Sequence, residues 1–224
     1  MKRYKPLFSG IRDNFLFNEA VIKVDAYDKI LYSLFDKCKP HIKNKNLPVD
    51  QIITILNKEF SFLKIVFQAE KINNSDDAHL GFNGGGTEDD EYNTIYVFLN
   101  SNCESNFNQY NNKYIATTIK IIHHELIHRN QAIRMKSREI ISKEFNYDPD
   151  NYREYLQQKI EIMPFAFMMV EESRAHGWND DKILQNLKTF SNPSALFNGY
   201  LKYFDEDSKT VKLLVKYMYM YLQK

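Results

Sequence analysis

Ile121-Ile122-His123-His124-Glu125-Leu126-Ile127-His128-Arg129 is the stretch on which the reading of this chain turns. It lies within Tyr114 to about Ser137, where Ile115, Ile119, Ile122 and Leu126 recur at helical spacing and predict a long helix. His124 and His128 are four residues apart, so they share one face of that helix, one turn from each other. Two imidazoles so placed can hold one Zn²⁺ at about 2.0–2.1 Å each. Glu125 follows the first of them; it can reach a water on the metal without being a ligand and can take that water's proton. His123 projects about 100° from His124 around the helix and is expected beside the site or at the surface, not as a co-ligand.

Two histidines leave a zinc site incomplete, because catalytic zinc has three protein ligands and one open position. No histidine follows within ten residues of His128, so the HExxHxxGxxH arrangement is absent. The third ligand must come from a second helix, and Glu139, Glu144, Asp148, Glu154, Glu161, Glu171, Glu172 and His176 lie downstream. Glu161 is the best choice. It sits in Lys159-Ile160-Glu161-Ile162-Met163-Pro164-Phe165-Ala166, a carboxylate among apolar neighbours, which is costly to bury unless paired or metal-bound. Glu171 and Glu172, three turns further on, are expected on a solvated face. His176 is expected as a positive group at a helix C-terminus before Gly177. A group to stabilise the oxyanion is also needed; Arg129, Tyr152, Tyr155 and His176 are available, and spacing does not choose among them.

His-Glu-Leu-Ile-His, followed some thirty residues later by Glu-Ile-x-x-Phe-Ala, resembles the HExxH-plus-Glu zincins, or gluzincins. It is particularly similar to small metallopeptidases encoded by bacteriophages, and to ImmA/IrrE-type proteins. The resemblance covers about residues 114–170. It implies zinc as cofactor, His124, His128 and Glu161 as its ligands, and Glu125 as general base. It also implies a small twisted sheet over the metal helix, whose edge strand receives an extended peptide. The expected activity is zinc-dependent hydrolysis of a peptide bond in a protein or peptide substrate. The rival reading keeps the zincin fold without general activity, as a structural or interaction component such as part of a phage particle, or as a regulator or toxin with one protein target.

Working outward, Val21 to Lys39 is predicted helical, with Pro40 following its end, and Pro48 and Asp50 open a second helix to about Phe60. Phe62–Ala69 and Ile95–Leu99 are predicted strands, the second being the candidate substrate-receiving edge. Between them Asn73–Asn93 is predicted as a loop with a short strand at His79–Phe82. Its Gly84–Gly86 run is expected as a plain flexible turn, or with Glu88–Glu91 as a mobile rim; it is a poor phosphate cradle, with acidic neighbours and no Lys-Ser/Thr. Helical stretches are predicted at Tyr152–His176, interrupted at Pro164, from Asn179 or Asp180 to about Phe190, from Ser194, and at Asp207–Leu222. The fold class expected is α+β: one zincin-like domain over 1–224, with a small, mostly antiparallel sheet packed on the HExxH helix and a mostly helical C-terminal half.

Composition excludes several classes. In 224 residues, 43% are hydrophobic and 14% aromatic, enough to bury a core. The 30 Lys+Arg against 29 Asp+Glu leave a formal charge of +1, without the basic excess of a protein that grips phosphates, so no nucleic-acid partner is expected. Cys38 and Cys103 have no metal-pair spacing and are expected as unpaired thiols in a reducing compartment. No signal-peptide pattern and no run of about 20 apolar residues is present, so a cytoplasmic protein without a membrane partner is expected, or a virion-associated one if phage-encoded.

Overall fold

In the computed structural model, residues 24–70, 81–82, 94–135, 151–192 and 194–223 are described. The start of the first predicted helix, the Gly84–Gly86 rim, and Glu139, Glu144 and Asp148 lie outside them. The chain divides into two units, 22–146 and 147–224 together with the N-terminal residues.

In the first unit a turn of 3-10 helix at Asp25–Tyr27 leads into α1 (Asp28–Ile42), which buries Leu31, Leu34, Phe35, Cys38 and Ile42 along one face. Pro40 lies inside the last turn instead of beyond it. It removes one N–H from the ladder, but the turn still closes through Lys43 N–H to the Lys39 carbonyl at 2.9 Å. Helix α2 (Val49–Phe60) follows Pro48 and buries Ile52, Leu56 and Phe60. The predicted strand from Phe62 begins later, because Ser61–Leu63 form a 3-10 turn that ends in left-handed Lys64.

The strands are β1 (Ile65–Glu70), β2 (Gly81–Phe82) and β3 (Ile95–Asn100), in the order β1-β3-β2. β1 and β3 pair in parallel over six residues; β2 and β3 pair antiparallel over two. Among the described residues the sheet is thus not mostly antiparallel. Nor is β3 an edge: Tyr96 and Val97 have partners on both sides. Alternation buries Ile65 and Phe67 on β1 and Ile95, Val97 and Leu99 on β3. Phe67 meets Phe60 edge-on at 5.1 Å, and Phe60 meets Phe35 at 4.9 Å, which joins α1, α2 and β1 in one aromatic core. Asn57 clamps α2 to the sheet by donating to the Phe67 carbonyl and accepting from its N–H.

A short α3 (Glu104–Asn108) precedes α4 (Asn112–Met135), the helix predicted at 114–137. α4 packs on β3 and β2 and touches α1. Arg129 ties it to the turn before β1 by donating to the Leu63 carbonyl at 2.9 Å.

The second unit's described elements are all helices: α5 (Tyr152–Gln157), α6 (Lys159–Ala175), α7 (Asp180–Leu187), α8 (Ala195–Tyr203) and α9 (Lys209–Leu222). α6 is its centre, with α9 packed along it and α5, α7 and α8 against it. Every residue from Ile160 to Phe167 is buried, so α6 has no polar stripe there. The interruption expected at Pro164 falls instead at Gln158, whose backbone is extended; Pro164 is accommodated in the helix within that buried run.

Side chains set the helix ends. Asn179, Ser194 and Ser208 accept from Lys182, Phe197 and Val211 N–H at the starts of α7, α8 and α9. α6 ends in a Schellman turn: Gly177 adopts φ +79°, with its N–H on the Arg174 carbonyl and Trp178 N–H on that of Ser173. The acidic pair does not form a solvated face. Glu172 accepts from the Ser194 hydroxyl at 2.6 Å and from Ala195 N–H at 3.2 Å at the start of α8, and Glu171 pairs with Arg174, which also holds Asp180. Among the described residues, no helix is long and apolar enough to cross a membrane.

Candidate metal centre

In α4, His124 and His128 face each other along the helix with ring centroids 4.7 Å apart and Nε2 atoms 3.0 Å apart. Helical periodicity alone brings these nitrogens to one point. Both rings are buried, at 8% and 3% exposure. His128 Nδ1 lies 3.0 Å from Gln131 Oε1, one turn further on. The sequence reading missed Gln131; its signal was there, since it stands three residues after His128. Glu125, next to His124, is equally buried at 3%. His123 is buried rather than at the surface, with Nε2 3.1 Å from Asp28 Oδ1 on α1.

Glu161 is the third residue of α6 and only 2% exposed, so it is no surface charge. The first turn of a helix favours a carboxylate, because its N–H groups carry partial positive charge. Tyr155 donates its hydroxyl to Glu161 Oε2 at 2.9 Å. That bond depends on the break at Gln158. In an unbroken helix, residues six apart would point about 120° away from each other and stand roughly 9 Å apart along the axis. Gln158 ends α5 with its N–H on the Tyr155 carbonyl and starts α6 with its carbonyl on Glu161 N–H. Tyr200 is buried in the same unit and donates to the Leu156 carbonyl at 3.0 Å; burial, and then the negative Glu161, push its hydroxyl well above the usual range, so it stays a donor.

One nitrogen each from His124 and His128 and one carboxylate oxygen from Glu161 all lie within 4.8 Å of one another, and these three buried residues could hold a metal ion. They are the three that the sequence selects as ligands.

The four candidates for the oxyanion now separate. Arg129 is bonded to the Leu63 carbonyl, and exposed His176 caps the far end of α6, fifteen residues or about 22 Å from Glu161. Tyr155 is bonded to Glu161, and Tyr152 stacks between Tyr155 and Tyr203 at 5.9 and 5.6 Å.

Comparison with known proteins gives no match: no family model fits the chain, and neither a curated protein nor a solved structure is similar to it.

Proposed function

We propose that this protein is a zinc-dependent metallopeptidase of the gluzincin type, with His124, His128 and Glu161 as ligands and Glu125 as general base. The observation that carries the reading is the convergence of those three buried donors around an HExxH helix. The donor set suits zinc, which takes imidazole nitrogen and carboxylate oxygen in catalytic sites of three protein ligands. The Nε2 separation of 3.0 Å is close to the roughly 3.3 Å between neighbouring donors of a tetrahedral zinc. Bound there, zinc would polarise the scissile carbonyl and acidify a water. The chain's own residues do the rest. Tyr155 donates its hydroxyl to Glu161 Oε2 and so helps to fix the orientation of the carboxylate. Glu125 takes the proton of the attacking water and delivers it to the leaving nitrogen.

Glu125→Gln tests this reading. It preserves size and most hydrogen bonding while removing the base, so cleavage of an unfolded protein substrate should fall by about 10²–10⁴-fold. Zinc content and melting temperature, measured on the same samples, should stay at wild-type values. A variant that cleaves as fast as wild type would sink the mechanism. Wild type that binds zinc yet cleaves nothing would favour the specialised or non-catalytic zincin.

A further inference from the structure

We propose that Gln131 is a positioning residue that holds His128 as the Nδ1–H tautomer and so presents the Nε2 lone pair to the metal. The metal half of this statement rests on the reading above; the tautomer half stands on α4 alone. A neutral imidazole carries one N–H and one lone pair, and the partner of one nitrogen decides the state of the other. His128 Nε2 lies 3.0 Å from His124 Nε2, so it must be the bare nitrogen for one metal to be shared by the two rings. Nδ1 must then carry the hydrogen and needs an acceptor, and the atom 3.0 Å away is the amide oxygen of Gln131. Were the Gln131 amide nitrogen there instead, it would donate to Nδ1, place the hydrogen on Nε2 and close the site.

Position and burial make this an effective lock. Gln131 is three residues after His128, on the same face of the same helix, so the contact forms with α4 itself. Gln131 is 7% exposed and His128 3%, which leaves water little access to compete for Nδ1. The partner is also neutral. It orients the ring without adding a negative charge, so a metal held here would keep more of its pull on a carbonyl than it would above a carboxylate partner.

The test uses full-length protein with ¹⁵N-labelled histidine and zinc as the only added ligand. Long-range ¹H–¹⁵N spectra of the metal-free wild type should show His128 with hydrogen on Nδ1 and bare Nε2. Gln131→Met is close in size and lacks the acceptor. It should shift His128 toward the other tautomer and lower zinc affinity, read by chelator competition, by roughly 10–100-fold. Gln131→Glu restores an acceptor and should recover both, which a merely structural role for Gln131 would not produce. A wild-type His128 with hydrogen on Nε2 overturns the proposal, as does a Gln131→Met protein with unchanged tautomer and affinity. Should Gln131→Met fail to fold, the wild-type and Gln131→Glu spectra still decide. If wild type binds no zinc, the metallopeptidase reading falls, while the tautomer comparison still judges Gln131.

Discussion

Helix α4 and the α5–α6 pair reach the same kind of result by different means. On α4 both histidines, and the glutamine in contact with one of them, lie within eight consecutive residues; helix formation alone sets their spacing. On α6 a single carboxylate is placed by a break in the chain, a first-turn position and a tyrosine six residues back that only the break lets return. Local geometry is robust, since any packing that keeps α4 helical keeps the histidines paired. The Glu161 arrangement is conditional, because it needs Gln158 extended and the surrounding helices packed around a buried charge.

The largest effect expected from this contrast is loss of metal when the local pair is broken. His124→Ala or His128→Ala should abolish zinc binding in metal analysis of protein purified without added zinc, while the helical circular dichroism signal persists. Retained stoichiometric zinc in both variants would place the centre elsewhere.

Glu161→Ala should weaken zinc by more than the 10–100-fold typical of losing an outer partner, because a direct donor goes. Unlike the histidine variants, it should leave a residual two-histidine site measurable by chelator competition. Full affinity in Glu161→Ala would exclude Glu161 as a ligand.

A smaller effect is expected of Tyr155→Phe, which removes one hydroxyl bond to Glu161 and keeps the ring. Zinc affinity should fall by about 10-fold to 100-fold at most. In Co²⁺-substituted protein, the visible spectrum should change as Glu161 loses a bond that orients its carboxylate. An unchanged spectrum and affinity would mean that the break at Gln158 does not serve the ligand.

Cys38 separates the ligands from the fold that carries α4. Burial, aided by the negative Glu59, pushes its thiol up to about 12. The folded chain therefore keeps this proton where the unfolded chain, with a thiol near 8.5, has released it. Above that pH the unfolded state binds fewer protons, so the sign is destabilising: this contribution to stability falls as pH rises from about 8.5 to 12. Alkylation of Cys38 in native protein at pH 8 should be slow, and Cys38→Ala should leave zinc affinity unchanged. Rapid native alkylation would contradict the buried placement.

Much of this was legible in the residues. Periodicities of 3.6 and 2 marked the long helices and the two six-residue strands, and Ser194 and Asn179 marked helix starts. The misses share a cause. Pro40 read as following a helix end and Pro164 as an interruption, but each costs one backbone bond, which the buried face of α1 at Phe35, Cys38 and Ile42, and the buried Ile160–Phe167 run of α6, outweigh. Glu172 read as solvated because its partners, Ser194 and Ala195, lie more than twenty residues away. Strand order was not readable at all, since β1 and β3 pair across twenty-four intervening residues.

By itself the sequence determined the His124–Glu125–His128 pattern, because a helix converts a spacing of four into one face with no help from the rest of the chain. It also singled out Glu161, since a charge inside an apolar run must find a partner. Tertiary structure decided what holds those groups in place. The extended residue at Gln158, the Tyr155 hydroxyl on Glu161, the Asp28 carboxylate beside His123 and the parallel pairing that makes β3 an inner strand all depend on contacts between residues distant along the chain or on a local conformation that only packing selects. Their free energy comes from burial shared among many side chains, which no short stretch of sequence encodes.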